Sequence, residues 1–165
     1  MRQGRIGDLG WMMHRQAVVY AKEFRYSAVF ETYLHEGAAV FLANFDAKRD
    51  RIWIAELDGR VVGFVAIQHD PDRRGWAKLR WFFVEAESRG HGLGKRLLKA
   101  AVAFSRKAGY RGILLWTVDH LETARALYEE AGFTLAFHDS KPCPWAPWCH
   151  EQRWELRLAG PQPRS

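Results

Sequence analysis

At 165 residues the chain is long enough for one domain with a single core, in which folding buries about two thirds of the surface of the unfolded chain. Its 48% hydrophobic and 27% charged residues are ordinary for a water-soluble fold, and no apolar run approaches the ~20 residues that cross a bilayer. A formal net charge of +6 suits an anionic ligand without choosing among nucleic acid, a phosphorylated cofactor and an acidic surface.

The N-terminal residues Met1-Arg2-Gln3-Gly4-Arg5 lead into Asp8 and His14 rather than into an apolar signal segment, so the expected compartment is the cytoplasm. After a short strand, Asp8 is in position to cap a helix whose apolar residues Leu9, Met12, Met13, Ala17, Tyr20 and Phe24 fall at helical spacing. Ser27 can cap the next helix, with Phe30, Tyr33, Leu34, Gly37, Val40, Phe41 and Phe45 as its stripe. Residues 51–57 and 60–68, joined by Asp58-Gly59, make a hairpin, because Asp-Gly supplies the positive φ angles of a two-residue turn. A third strand follows over residues 76–84.

Arg89-Gly90-His91-Gly92-Leu93-Gly94 then stands between that strand and an amphipathic helix beginning Lys95-Arg96-Leu97-Leu98. Alternate glycines remove the Cβ atoms that would hold an anion away from the main chain and let successive N–H groups converge. The helix adds its positive dipole end and unpaired first-turn donors, so the loop reads as a phosphate cradle. Leu97 stands where a dinucleotide fingerprint needs its third glycine, and no GK[ST] occurs, so neither dinucleotide nor Walker-type NTP binding is favoured. The helix carries Leu93, Leu97, Ala101, Phe104 and Ala108 on one face and ends at Gly109.

Residues 113–117 read as a short buried strand. Asp119 with Glu122 resembles a capping box, opening a helix with Leu121, Ala124, Leu127, Tyr128 and Ala131 that Gly132 ends. Residues 133–137 and 152–158 read as closing strands, with the Pro/Trp-rich stretch 142–150 as a loop between them. That stretch holds both cysteines, Cys143 and Cys149, read as reduced thiols. His138 and His150 lie near it, but the spacing matches no common zinc signature, so no metal is expected. The single domain covers 1–159, and 160–165 reads as a disordered tail.

This order of elements, with Val84-Glu85-Ala86-Glu87-Ser88-Arg89-Gly90-His91-Gly92-Leu93-Gly94 in the middle and Ala124-Arg125-Ala126-Leu127-Tyr128-Glu129-Glu130-Ala131-Gly132-Phe133 downstream, resembles the GNAT superfamily of acyl-CoA-dependent N-acyltransferases. The first segment resembles its Q/R-x-x-G-x-G/A signature and the second its LYE-x-x-GF signature. The N-terminal part, with Gly7-Asp8-Leu9-Gly10-Trp11, is further similar to acetyltransferase domains fused behind MarR-type regulators, here with no winged-helix segment. The resemblance implies an α/β (α+β) fold: a mixed sheet splayed between the fourth and fifth strands, with about four flanking helices. It implies acetyl-CoA as co-substrate, with backbone groups of Phe83 and Val84 pairing with the pantetheine arm. Arg89, Gly90, His91, Gly92, Leu93, Gly94 and Lys95 would hold the pyrophosphate. Tyr128 matches the tyrosine that protonates the departing thiolate, although its place on the helix stripe also suits a core residue. Ala86 and Leu121 stand where the family often has proline and asparagine.

The acceptor amine must lose a proton before it attacks. The family's early-strand glutamate is replaced here by Lys78 and Arg80, which leaves Glu31, Glu85, His35, His120 and a water chain as alternatives, with Glu31 favoured as catalytic. Strand alternation puts Arg80 on the face of Phe82 and Val84, where a guanidinium needs a partner. It either grips a carboxylate of the acceptor or pairs internally with Glu31 or Glu56. Trp11, Tyr26, Tyr33, Trp145 and Trp148 are candidate pocket walls, or else core. The expected function is acetyl transfer to a small-molecule amine such as an amino acid, by direct transfer in a ternary complex. A CoA-binding sensor with little turnover, or transfer to protein or aminoacyl-tRNA amines, are the alternatives. Because the basic residues are scattered, a nucleic-acid partner is disfavoured, as is a membrane. The aromatic-rich C-terminal region offers a surface for a homodimer.

Overall fold

The structure is a computed structural model that describes residues 1–159, so the tail read at 160–165 lies outside the described residues. In chain order the elements are β1 (Arg2–Gln3), α1 (Asp8–Phe24), α2 (Ala28–Ala43), β2 (Arg51–Leu57), β3 (Arg60–His69), β4 (Trp76–Val84), α3 (Leu93–Lys107), β5 (Gly112–Val118), α4 (Glu122–Glu130), β6 (Thr134–Cys143) and β7 (Ala146–Arg157), with a 3-10 turn at Ala86–Ser88. The strands form one sheet in the order β1-β2-β3-β4-β5-β7-β6. Neighbours pair antiparallel except β4 and β5, whose parallel pairing requires the crossover through α3.

Both faces of the sheet are covered, which is why β3 is apolar without interruption from Phe64 to Ile67. Phe64 and Ala66 pack with Met12, Met13, Leu34 and Phe41 beneath α1 and α2. Val65 and Ile67 pack with Leu97, Leu98 and Ala101 on the α3 face. The β2–β3 hairpin closes through Asp58 at φ 50° and Gly59 at φ 75°, the pair of positive angles that its dipeptide makes accessible.

The sheet opens at its centre. Strands β4 and β5 pair only from Trp76↔Gly112 to Leu79↔Leu115; beyond that point residues 80–84 and 116–118 have no ladder partner across the gap. On its other edge β4 stays paired to β3, but the register shifts between Phe64 and Ala66, and Trp81 takes φ 53°. A positive φ at a bulky residue costs on the order of 1–3 kcal/mol, and a bulge re-aims the side chains around it. Here the bulge overturns the simple alternation. Arg80 and Trp81 both face Gly37 of α2, whereas Phe82 packs on the other side of the sheet with Leu127 and Tyr128. Gly37 is what makes the guanidinium fit, since a Cβ there would collide with Arg80 Nη2.

Several local expectations give way to longer-range bonds. Gly7, at φ 94°, is the N-cap of α1, and Asp8 lies inside the first turn. Its carboxylate instead takes Arg2 Nη1 at 2.6 Å and Arg5 N at 2.6 Å, pinning β1 to the helix. Ser27 does stand at the N-cap of α2 but makes no side-chain cap bond. Leu121 precedes α4, and no Asp119–Glu122 capping box forms. Asp119 accepts from His150 N at 3.0 Å, tying the β5–α4 connection to β7. The stretch 142–150 is not a loop: β6 and β7 extend through it and turn at Pro144-Trp145, with Cys143 paired to Ala146. The tip docks on the start of α2 through Ser27 N to Trp145 O at 3.1 Å. Cys143 and Cys149 are both buried and free.

Candidate active site

The glycine loop folds as a cradle. Gly90 and Gly92 adopt φ 82° and 72°, and both have open space where a Cβ would be. Gly92 caps α3, and the first helical amide to find an acceptor is that of Arg96, on Gly92 O at 3.1 Å. The amides of Leu93, Gly94 and Lys95 are therefore free at the positive end of the helix, a site for an anion. Gly94 has a different reason: its Cβ would come within 2.9 Å of Leu127 Cδ1 and 3.3 Å of Phe82 Cζ, so glycine lets α3 approach α4. Arg89 Nε donates to Val84 O at 3.1 Å, which holds the loop against the end of β4, and Lys95 Nζ pairs with Glu130 at 2.7 Å. A Gly92→Ala variant is expected to lose about 1 kcal/mol of stability to left-handed strain and to raise the acetyl-CoA Kd about tenfold, readable by thermal melting and calorimetry.

Two cavities meet in the splay. The larger, about 750 Å³, runs from Arg89, Gly90, Gly92 and Lys95 between α3 and α4, past Val84 to Leu121 and Thr123. The smaller, about 270 Å³, lies under α1 and α2, bounded by Tyr26, Tyr33, Arg80, Trp145 and Glu151. Tyr20, Phe82, Leu121 and Ala124 line both, so they form the junction. Glu85 N donates to Val62 O at 2.8 Å, and by backbone alternation the polar groups of Phe83 point into the β3–β4 ladder while those of Val84 point to the splay.

Tyr128 of α4 lies at the wall of the smaller cavity, 4% exposed, with its ring 5.6 Å from that of Phe82 and 6.0 Å from that of Phe133. Burial, with the phenol of Tyr20 nearby, pushes its pKa well above the usual tyrosine range, so the hydroxyl keeps its proton. Arg80 lines the same cavity. Its contacts are Gln68 Oε1 at 3.2 Å and the ring of Trp81 at 4.8 Å, and burial lowers its pKa. Neither expected internal partner reaches it: Glu56 pairs with Arg2, and Glu31 lies beside His35 on the exposed side of α2.

The model of the Acetyltransferase (GNAT) family matches residues 12–133. The chain belongs to this family. It is 34% identical over 89 residues to N-acetyltransferase family 8 member 2 of Rattus norvegicus, an alignment covering 52% of this chain and 39% of that protein, so the chain spans about two fifths of that relative's length. An acetyltransferase of the GNAT family from Streptococcus pneumoniae superposes with a TM-score of 0.73 at 17% identity, covering 96% of this chain and 98% of that one. A Bacillus anthracis protein assigned as a streptothricin acetyltransferase, solved in complex with acetyl coenzyme A, superposes at 0.60 with 22% identity over 73% of this chain and 70% of that one. The mixed sheet with its parallel β4–β5 pair matches the fold of these GNAT structures. Among the described residues no helix is long and apolar enough to cross a membrane.

Within this GNAT site the candidate bases separate. Glu31 and His35 are exposed and line neither cavity. Glu85 is held by Arg15, whose Nη2 donates to Oε2 at 2.9 Å. His120 lines the larger cavity, its Nε2 2.5 Å from the Tyr26 hydroxyl, and burial lowers its pKa. Of the aromatic candidates, Tyr26, Tyr33 and Trp145 line the smaller cavity; Trp11 packs edge-on to Phe64, and Trp148 packs at a tilt against His120. On the opposite face of β7, Asp119, His138 and His150 offer ligand atoms within 4.8 Å of one another. Hydrogen bonds already engage this cluster: His150 Nδ1 with Asp119 at 3.1 Å and His138 Nδ1 with the Gln152 amide, whose Oε1 accepts from Trp154 Nε1. The ring nitrogens so engaged make it a staple between the β5–α4 connection and the last hairpin. Glu151, Tyr20 and Phe82 line the site with no motif to mark them, and Glu151 lies just outside the closing strand that the sequence predicts from Gln152.

Proposed function

We propose that this GNAT enzyme moves the acetyl group of acetyl-CoA to the primary amine of a small amino-acid-like acceptor, by direct transfer in a ternary complex. The observation that carries the reading is the meeting of the two cavities at Tyr20, Phe82, Leu121 and Ala124, with Tyr128 on the wall of the smaller one, its ring 5.6 Å from that of Phe82. The amides of residues 90–95 take the pyrophosphate, Arg89 adds charge, and the splay-facing amide of Val84 receives the pantetheine arm. Acetyl-CoA supplies the activated carbonyl. Tyr128, kept protonated by burial, gives a proton to the departing thiolate. Both cysteines are buried outside the junction, which favours attack by the amine itself over a covalent acyl-enzyme.

The acceptor is expected to be small and to carry a carboxylate for Arg80, because a cavity of about 270 Å³ walled by Tyr26, Tyr33 and Trp145 suits a molecule of amino-acid size. Free, buried thiols suit a reducing compartment, hence the cytoplasm. A second copy of the chain is proposed to cover the outward face of β5, β7 and β6, where Trp116 packs against Phe137 with both rings exposed. Sedimentation should then give a dimer that Phe137→Lys dissociates. The function is tested by following CoA release from acetyl-CoA with L-amino acids, polyamines, aminoglycosides and peptides. Turnover confined to small carboxylate-bearing amines is the expected result, and acetyl-CoA binding with no turnover on any amine would favour a sensor instead.

A further inference from the structure

The acceptor cavity contains one carboxylate with no task in that scheme. Glu151 stands on β7 directly across from Val118, the last residue of β5. Alternation along β7 turns it to the side of Cys149, which joins the core beneath α1 and α2, and it is the only acidic side chain among the described residues lining the smaller cavity. Arg80 stands on the other lip of the splay, one residue past the last β4–β5 pair. The two charges are not joined. Arg80 is turned to Gln68 and Trp81, and Glu151 has no cation within ion-pair distance among the described residues. A cation and an anion held apart across a small aromatic cavity complement a zwitterion.

Resting on the transferase reading above, we infer that Glu151 binds the acceptor's ammonium group and takes a proton from it, while Arg80 holds the acceptor's carboxylate, so that the substrate is a free amino acid rather than a peptide-linked or nucleic-acid-linked amine. An N–H bond of the ammonium breaks and its proton passes to a Glu151 oxygen, which frees the nitrogen electron pair. That pair forms the N–C bond to the acetyl carbonyl carbon while the C–S bond breaks, its electrons leaving on sulfur, which Tyr128 protonates. Of the remaining ammonium protons, one replaces that given up by Tyr128 and the other stays on the amide.

The surroundings of Glu151 suit this role. Burial first, and then the negative Asp139 on β6, push its carboxyl above the ordinary range and so toward the pH at which it must accept a proton. The other titratable groups facing it are Tyr33 from α2, Cys143 from β6 and Cys149 from β7, with Arg80 of β4 across the cavity. Each rival is committed or absent from the cavity: Glu85 to Arg15, His120 to Tyr26, Glu31 and His35 outside it.

The test uses the amino acid that the wild-type enzyme acetylates fastest. For Glu151→Gln, kcat/KM at pH 7 is expected to fall about a hundredfold, the acidic limb of its pH profile to disappear, and the acetyl-CoA Kd and Tm to stay unchanged. Glu151→Asp should keep the limb at reduced rate. Retention of both rate and acidic limb in Glu151→Gln would overturn the assignment while leaving the transferase reading intact, as would loss of that limb in His120→Gln instead. A fall in Tm and acetyl-CoA affinity with an unaltered profile would make Glu151 structural and overturn it too. Wild-type enzyme that binds acetyl-CoA but acetylates no amine would sink both readings together.

Discussion

Replacing Tyr128 with phenylalanine is expected to lower kcat about a hundredfold or more while changing the acetyl-CoA Kd by no more than about twofold. The change removes a single oxygen. Ring packing on Phe82 and Phe133, at 5.6 and 6.0 Å, is kept, and so is the α4 face that walls the acyl-CoA cavity. A buried hydroxyl that loses its water contacts costs stability unless it is bonded, so the variant should melt at or slightly above the wild-type temperature. A loss of rate without a loss of fold or donor binding is what a proton donor, and not a core residue, would produce. The pH dependence follows from the direction of the shift. Burial raises the pKa of Tyr128, so its proton is fully present below the ordinary tyrosine value and is lost only as pH rises through the higher folded value. No basic limb in kcat is therefore expected from this group below about pH 10. A kcat within about twofold of wild type would return Tyr128 to the core and leave the thiolate to depart unassisted.

The sequence was most legible where a local rule decides the outcome. Asp58-Gly59 specifies its turn because few dipeptides tolerate two positive φ angles, and Gly90 and Gly92 mark the cradle for the same steric reason. Illegible features depend on partners distant in the chain. Asp8 and Asp119 each carry the sequence signature of a helix cap, yet Arg2 and His150 take their carboxylates, because a charged or bidentate bond outcompetes a cap of about 1 kcal/mol. Prolines and tryptophans in 142–150 suggested a loop, but Trp145 and Cys149 bury their side chains in the core, and that burial draws the backbone into a hairpin. Glu31 matched by residue type alone. On α2 it is one of the positions turned away from the buried stripe of Phe30, Leu34, Ala38 and Phe41.

The bulge at Trp81 is the least readable feature, because it separates Arg80 from Phe82 across the two faces of the sheet. Arg80, paired to Ala66 before the bulge, keeps the α1 and α2 side, where Gly37 leaves it room and the acceptor cavity receives it; the extra residue turns Phe82, which simple alternation would set beside Arg80, to the α3 and α4 side of the sheet. Replacing Arg80 with methionine is then expected to raise the KM for a carboxylate-bearing acceptor about a hundredfold, equivalent to roughly 2.7 kcal/mol, the size of a charge-assisted bidentate contact. Amines without a carboxylate should be acetylated no worse than before. Stability should hold or rise, because the methionine keeps the apolar bulk near Trp81 and relieves the protein of a desolvated cation whose hydrogen bond to Gln68 spans 3.2 Å. Arg80→Lys should not restore the KM, since a point charge lacks the planar fork that grips both carboxylate oxygens. The measurement is a KM series over an amino acid, its amide and its decarboxylated amine, for wild type and both variants. A folded Arg80→Met enzyme with unchanged KM for all members of the series would dismiss the carboxylate grip and leave Arg80 as a strut between β4 and α2. A KM that rises only for the free acid would tie acceptor selection to Arg80 at the lip of the splay, one residue past the last β4–β5 pair.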